Sequence, residues 1–341
     1  MKYISKITIC LVAVLLFAGS AQAQDTRFSQ PLNNQLALNP AMMGLTNDFR
    51  VNLNYRNQWA SIDKGYSTYA ASLIYPLFLS SKSGSADSTG KKAVGKSRLD
   101  FGINVTDDKS GSFNRLSASL SIAYGLKLSE EHSLHAAINF GYLHNSLNVL
   151  KLSFDEQYQL GAYNPDLPTG ETPTLTKGAP DVGFGFMYHY EPLSGKLQAF
   201  AGIAGYHVNQ PNQTFINGRG TLPARFNFQA GVKVIGNKLD FTPVVLYNLQ
   251  GPWKQFTGGL LMAYKFDKKG KLVVGTWFKE RDAISLQAGY EHKIFYFTYS
   301  YDFGISKLAR TTRGLMTHEV ALGFKFIDVA AKKGIKGVNF L

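Results

Sequence analysis

Few residues in this sequence have a claim to chemistry. His132 and His135 lie three apart, and His318 directly precedes Glu319. The first pair falls at an expected turn and strand start, where surface histidines are the simpler account than metal ligands. The second pair suggests acid/base work, but on a strand adjacent residues face opposite sides, so the two do not act together. No His/Cys cluster with metal spacing, no nucleophile elbow and no glycine-rich phosphate loop occurs. We therefore assign no catalytic, cofactor-binding or metal-binding residues and expect a protein that is not an enzyme. An outer-membrane hydrolase is the one enzyme class kept as a rival, since a triad can assemble across strands.

The elements that must carry these residues are strands. In "THEVALGFKF" Val320, Leu322, Phe324 and Phe326 alternate with Glu319, Ala321, Gly323 and Lys325. "FRVNLNY" sets Phe49, Val51, Leu53 and Tyr55 against Arg50, Asn52, Asn54 and Arg56, and "RLSASLSIAYGLKL" sets Leu116, Ala118 and Leu120 against Ser117, Ser119 and Ser121. This two-residue period defines two faces on each segment. Fourteen such segments are expected, near 49–60, 66–77, 98–107, 113–128, 133–145, 181–190, 196–207, 224–235, 238–248, 255–266, 271–279, 283–292, 294–303 and 317–326. Segment 196–207 is ambiguous in face. Pro243 cannot donate a ladder hydrogen bond, so it belongs at a bulge or near a rim.

The compartment decides which face is inside. Lys2 and Lys6 precede an apolar run from Ile7 to Ala18, and Ala21-Gln22-Ala23 follows as a small-x-small cleavage site, the pattern of a signal peptide over 1–23. The only cysteine, Cys10, lies within it, so the remaining 318 residues (341 minus 23) carry no thiol. Removing Lys2 and Lys6 lowers the net charge from +13 to +11. In an exported chain with dispersed Lys and Arg, that excess points to a polar interior or anionic lipid rather than nucleic acid.

An even number of ten-residue alternating strands in an exported chain is the pattern of an outer-membrane barrel. A closed barrel pairs every backbone polar group that lipid would leave unsatisfied. The apolar face is then the outside. A soluble β-sandwich, the competing architecture, ordinarily has shorter strands. Trp59, Tyr75, Tyr142, Tyr188, Tyr190, Tyr264, Phe278 and Phe326 are candidates for interfacial girdles. With the first strand running outward, the even-numbered connections are periplasmic and mostly short. The odd-numbered ones include 146–180, 208–223 and 304–316. The Ser/Gly/Lys-rich piece 79–97 breaks that parity. Residues 24–48 precede the barrel (49–326) as a plug or rim segment, and residues 327–341 form a basic periplasmic tail. In "LNPAMMGL", Asn39-Pro40 favours a turn and Gly44 is able to adopt positive φ.

Taken in order, these stretches resemble the PorP/SprF family of type IX secretion outer-membrane proteins. The resemblance is carried by "RFSQPLNNQLALNPAMMGL" (with Asn39, Pro40 and Gly44), "YRNQW" (Tyr55, Arg56, Gln58, Trp59), "YSYDFGISKL" (Tyr301, Asp302, Ser306, Leu308) and "GLMTHEVALGFKF" (His318, Glu319). It implies an outer-membrane barrel of Bacteroidota that works with the type IX secretion and gliding machinery. It implies help in the export or surface attachment of a secreted adhesin-like protein. The implied partners are the C-terminal sorting domain of such a cargo, peptidoglycan-linked periplasmic components, and outer-membrane lipid. No catalytic residues and no cofactors come with it. The rival from another class is a FadL-like channel for hydrophobic compounds, which also has an N-terminal plug with an Asn-Pro-Ala motif. Candidate partner contacts lie in the longest connection, at Tyr158, Tyr163 and Pro165, where aromatics and prolines make a semi-rigid surface.

Overall fold

The computed structural model describes residues 25–61, 65–78, 97–159, 161–215, 218, 220–267, 270–307, 309 and 316–328. The expected signal peptide, the tail beyond Asp328, nearly all of the 79–97 connection, and Leu308 lie outside the described residues.

Fourteen antiparallel strands close into one barrel. They are β1 (Asp48–Gln58), β2 (Tyr66–Phe78), β3 (Arg98–Ser110), β4 (Phe113–Lys127), β5 (His132–Asn148), β6 (Thr174–Tyr190), β7 (Leu197–Tyr206), β8 (Arg225–Ile235), β9 (Leu239–Gln250), β10 (Trp253–Lys265), β11 (Gly270–Lys279), β12 (Ala283–His292), β13 (Phe295–Gly304) and β14 (Met316–Asp328). Each pairs with its neighbour in sequence, and β1 closes on β14 with Leu53 opposite Leu322 and Arg56 opposite Glu319. Closure leaves no barrel edge unpaired, which is what a lipid environment demands.

The faces fall as the alternation requires. Leu116, Leu120, Tyr124 and Leu126 of β4 are exposed on the outer surface, while Ser121 and Ala123 are buried inside. Tyr75, Tyr142, Tyr188, Tyr264, Phe278 and Phe326 stand on the same exterior. Both ends of the strand series, Asp48 and Asp328, lie at one end of the barrel, where they pair. The short connections 128–131, 191–196, 236–238, 266–269 and 293–294 lie there too. In outer-membrane barrels that end is periplasmic. The long described connections, 149–173 and 207–224, lie at the other.

Two sequence expectations need correction, and a strand whose face was left open is resolved. β6 begins at Thr174 rather than 181 and pairs along the whole of β5, from Asn148↔Thr174 to His132↔Tyr190. Its first residues, "TLTKGAP", carry no apolar alternation because that part of the hairpin extends beyond the apolar band. Pro243 sits five residues into β9 with no bulge. Pairing to β8 keeps one register on either side (Gly231↔Val244, Val234↔Phe241) and skips the two positions between, while Pro243↔Leu260 holds on the other side. The missing N–H thus costs ladder contacts, not register. The ambiguous strand β7 turns Gln198, Phe200, Ala204 and Tyr206 inward. Its inner face is apolar because something apolar fills the bore.

That filling is residues 25–47. After a 3₁₀ turn (Pro31–Asn33) come one α-helical turn (Gln35–Leu38) and a second 3₁₀ stretch (Pro40–Leu45). Leu32, Leu36, Leu38, Ala41, Met42, Met43 and Leu45 form a single buried cluster with Ile74, Ala123, Ala137, Met187, Phe200, Val244, Leu246 and Trp277. Those wall residues come from β2, β4, β5, β6, β7, β9 and β11, so the cluster spans the bore.

Candidate functional site

The inserted segment buries backbone groups in the barrel interior, and each needs a partner. The wall supplies them. Arg98 of β3 donates to the carbonyls of Met43 and Gly44 (both 3.2 Å) and Thr46 (2.6 Å). Tyr206 Oη donates to Leu36 O at 2.5 Å, Arg225 to Ala37 O at 3.1 Å, and Asn227 to Leu38 O at 2.8 Å. Asn39 does three things at once. Its Oδ1 accepts from Ala41 N at 2.8 Å and caps the 3₁₀ stretch that Pro40 begins, and its Nδ2 donates to Phe186 O (3.1 Å) and Ile203 O (3.2 Å) on β6 and β7. Gly185 makes room for it, since a Cβ there would collide with Asn39 Oδ1 and come within 3.0 Å of Ala41 N. Gly44 does not take the positive φ its position suggested. Its reason is space, because a Cβ would strike the imidazole of His135.

The first half of the segment meets charges instead. Glu319 of β14 is fully buried and receives the backbone N–H of Ser29 at 2.5 Å and of Gln30 at 3.1 Å. Ser29 Oγ donates to Asp302 Oδ2 at 2.6 Å. Arg56 of β1 lies between the two carboxylates, 3.6 Å from Asp302 and 3.9 Å from Glu319, and donates to the carbonyl of Arg27. Lys279 of β11 completes the node at 2.9 Å from Asp302. The structure therefore brings Arg56, Asp302 and Glu319, which lie in three separate stretches of sequence, onto one point of the inserted segment. Of the luminal donors on β1, Arg56 serves that segment's backbone. Arg50 instead pairs with Asp48 at 3.5 Å and Asn52 donates to Ser72.

A second hub holds the segment's outermost described residue. Asp25 lies 2.9 Å from Arg225, 3.3 Å from Arg115 and 2.7 Å from His207 Nε2, and His207 Nδ1 faces Asp181 at 2.8 Å. Burial alone would raise the Asp25 carboxyl, but the surrounding His207, Arg225 and Arg115 hold it well below the usual carboxylate range. Burial opposes charge on His207, yet Asp25 and the hydrogen bonds to both carboxylates push it up to about 9. Sequence inspection missed this hub. Its members are spread over 25, 115, 181, 207 and 225, and no local spacing links them.

Above the node and hub opens a cavity of about 800 Å³. Its lining includes Arg56, Gln58 and Trp59 from the end of β1, with Tyr66, Phe113 and Trp253 from neighbouring strands and Arg27 from the segment below. The Arg27 guanidinium lies 3.2 Å over the Trp253 ring. Trp59 packs edge-on to Tyr66 with centroids 4.9 Å apart and adopts φ 60°, a strained value for a bulky residue. Arg281, also in the lining, has φ 59°. All four described non-glycine residues with positive φ (Trp59, His207, Gln210, Arg281) follow strands at this same end.

The remaining candidate residues lie apart. Tyr55 and Tyr301 face outward. His318 accompanies them, with Nδ1 2.7 Å from Tyr299 Oη and its ring 5.1 Å from Tyr301. It thus points away from Glu319, as strand geometry requires. Ser306 Oγ accepts from Ala309 N at 3.1 Å, and its own N–H donates to Asp282 O at 3.2 Å, tying the β13–β14 connection to the β11–β12 turn. Tyr158 and Tyr163 form an exposed pair, centroids 5.4 Å apart, on a two-residue hairpin, and Pro165 O accepts from Gln157.

The model of a family described as type IX secretion system membrane protein PorP/SprF matches residues 20–324. No individually curated protein matches the sequence. Among solved structures, the Ralstonia pickettii toluene transporter TbuX is similar at 12% identity and TM-score 0.52, with 86% of this chain and 93% of that chain covered. A Pseudomonas aeruginosa FadL homologue is similar at 9% identity and TM-score 0.49, with 85% and 93% covered. At 12% identity the likeness to TbuX is one of fold, that of an outer-membrane barrel.

Proposed function

The chain belongs to the type IX secretion system membrane protein PorP/SprF family, and from that premise we propose that it holds or assists a secreted, adhesin-like protein at the cell surface without conducting it. It is an outer-membrane barrel. The observation that carries the proposal is the contrast between its two ends. The bore is occupied by the chain's own residues 25–47, while the end bearing the long connections opens into an 800 Å³ vestibule lined by Arg56, Gln58 and Trp59. An exported polypeptide has no use for a filled bore, but a surface-held one has use for a rigid, aromatic and charged receptor. The partner we assign is the C-terminal sorting domain of the cargo, received by the vestibule and by the Tyr158–Tyr163 hairpin. Peptidoglycan-linked components meet the periplasmic end and its basic tail. Removal of a signal peptide ending at Ala23 is part of the same reading, as is a role in gliding.

A deletion strain tests this. Cognate adhesin falls at the cell surface and rises in the medium, and Trp59→Ala reproduces part of that shift while the barrel still assembles. Unchanged display with reduced uptake of an apolar compound would replace this reading with that of a hydrophobic channel. The charged lining of the vestibule, with Arg27, Arg56, Arg115 and Arg225, speaks against such a ligand.

A further inference from the structure

Tyr55 belongs to a stretch singled out in the sequence, yet its side chain faces away from the vestibule. It borders a groove of about 380 Å³ on the outer wall of the barrel. Leu53 and Tyr55 of β1, Leu322 of β14 and Val105 of β3 flank it, and Ala71 of β2 lies between them. Leu53 and Val105 are the cross-strand partners of Ala71 on either side. A single methyl group between two branched side chains leaves the dent. The rings of Tyr55 and Tyr69, opposite each other on β1 and β2, stand at its extracellular end with centroids 4.9 Å apart.

At that end the outward face of the wall turns polar. Below the tyrosines, Val51, Leu73 and Ile103 continue the apolar belt. Above them the next outward positions are Asn57 of β1, Ser67 of β2, and Asp107 and Lys109 of β3. A tyrosine pair between an apolar belt and a polar one marks the boundary of hydrocarbon and headgroups. The groove thus runs from headgroup level into the hydrocarbon of the outer leaflet. Asp107, in its lining, stands opposite Tyr69. Asp107 Oδ2 lies 3.2 Å from Lys109 Nζ, and that ammonium is 5.7 Å from the centroid of the Tyr69 ring. The two side chains are 29% and 53% exposed, so both charges are within reach of a headgroup.

We propose that this groove holds one acyl chain of an outer-leaflet phospholipid of the phosphatidylethanolamine class, with its headgroup on Asp107 and Lys109. The charges are complementary. That headgroup carries one phosphate and one ammonium, and it meets one ammonium and one carboxylate on neighbouring outward positions of β3. Lys109 receives the phosphate and Asp107 the lipid's ammonium, so each new contact is a charge-assisted hydrogen bond. A purely anionic headgroup gains Lys109 but sets its phosphate beside the Asp107 carboxylate, and like charges at that range repel. The apolar flanks and small floor suit an unbranched chain lying along the strands.

The full-length protein is reconstituted with equal amounts of phosphatidylethanolamine and phosphatidylglycerol, extracted in mild detergent and examined by native mass spectrometry. One phosphatidylethanolamine is retained per barrel, with a preference of about tenfold over phosphatidylglycerol. Ala71→Phe fills the groove and lowers retention about tenfold. It adds apolar surface at a lipid-facing position, so the barrel still assembles. Ala136→Phe, at an exposed outward position of β5, leaves retention unchanged. Asp107→Asn keeps the lipid but loses the preference for phosphatidylethanolamine. Unchanged retention in Ala71→Phe, or equal retention of the two lipids by the unsubstituted protein, overturns the proposal. So does a dimer that forms without lipid and is dissociated by Ala71→Phe, since the groove then belongs to a second copy of the chain.

Discussion

The two halves of the inserted segment are held by different physics. Residues 35–47 are held by packing. Met42, Met43 and Leu45 are completely buried, and their neighbours' carbonyls are met by Tyr206, Asn227 and Arg98. Residues 25–34 are held by charge, through Asp25 on three cations and through the N–H groups of Ser29 and Gln30 on Glu319. Apolar packing neither titrates nor is screened by counter-ions, whereas charge pairing does both. The packed half is thus a root, and the charged half a tip that borders the vestibule and is open to adjustment from outside.

The largest expected effect comes from the node. Arg56→Ala leaves the Asp302 and Glu319 carboxylates with Lys279 as their remaining cation, and breaking a buried pair by removing one partner costs about 3–5 kcal/mol. Hydrogen exchange checks where that cost falls. The amides of 27–30 lose protection while those of 36–45 keep it. The next effect is the mirror image. Met42→Ala opens a cavity in the root and costs about 3 kcal/mol, and Gly185→Val crowds Asn39 out of its seat. Both deprotect 36–45 first. If either class of variant releases the whole segment at once, the root and tip are one cooperative unit and the distinction fails.

How much of this was legible in the sequence follows from how local each signal is. Strand alternation is local, and so Val51, Leu53 and Tyr55 against Arg50, Asn52 and Arg56 set the faces correctly. The face of β7 was illegible because Phe200 and Tyr206 answer to Leu36 and the root, more than 150 residues away in sequence. Gly44 was misjudged for the same reason, since its constraint is His135 and not its own backbone. Arg56, Asp302 and Glu319 were picked out by family motif, but nothing in the order of the chain says that three strands will bring them to the backbone of Ser29. The Asp25–His207–Asp181 hub carried no motif at all.

The smallest effect is also the one that separates tip from root most cleanly, because it uses pH alone. Against the desolvation of burial, its two carboxylates raise His207 from its ordinary value of 6.5 to about 9. A group whose folded value is raised contributes stability that is fully present below its unfolded value and lost as pH rises through the folded one. The hub is therefore intact below about pH 6.5 and loosens as pH climbs through 9. Asp25 has the opposite sign, with a depressed value, so its contribution is present above the ordinary carboxylate range and is lost in strong acid. Between these limits the tip is most firmly held. Trp253 reports on it, since Arg27 stacks on its ring. In a Trp59→Phe background the other remaining tryptophan, Trp277, is fully buried, so the acrylamide-quenchable emission is that of Trp253, and it changes between pH 8 and 10. The change is absent in His207→Gln, and exchange in 36–45, corrected for intrinsic rate, stays flat. A transition that persists in His207→Gln would assign the alkaline loosening to another group and remove the hub from the account of the tip.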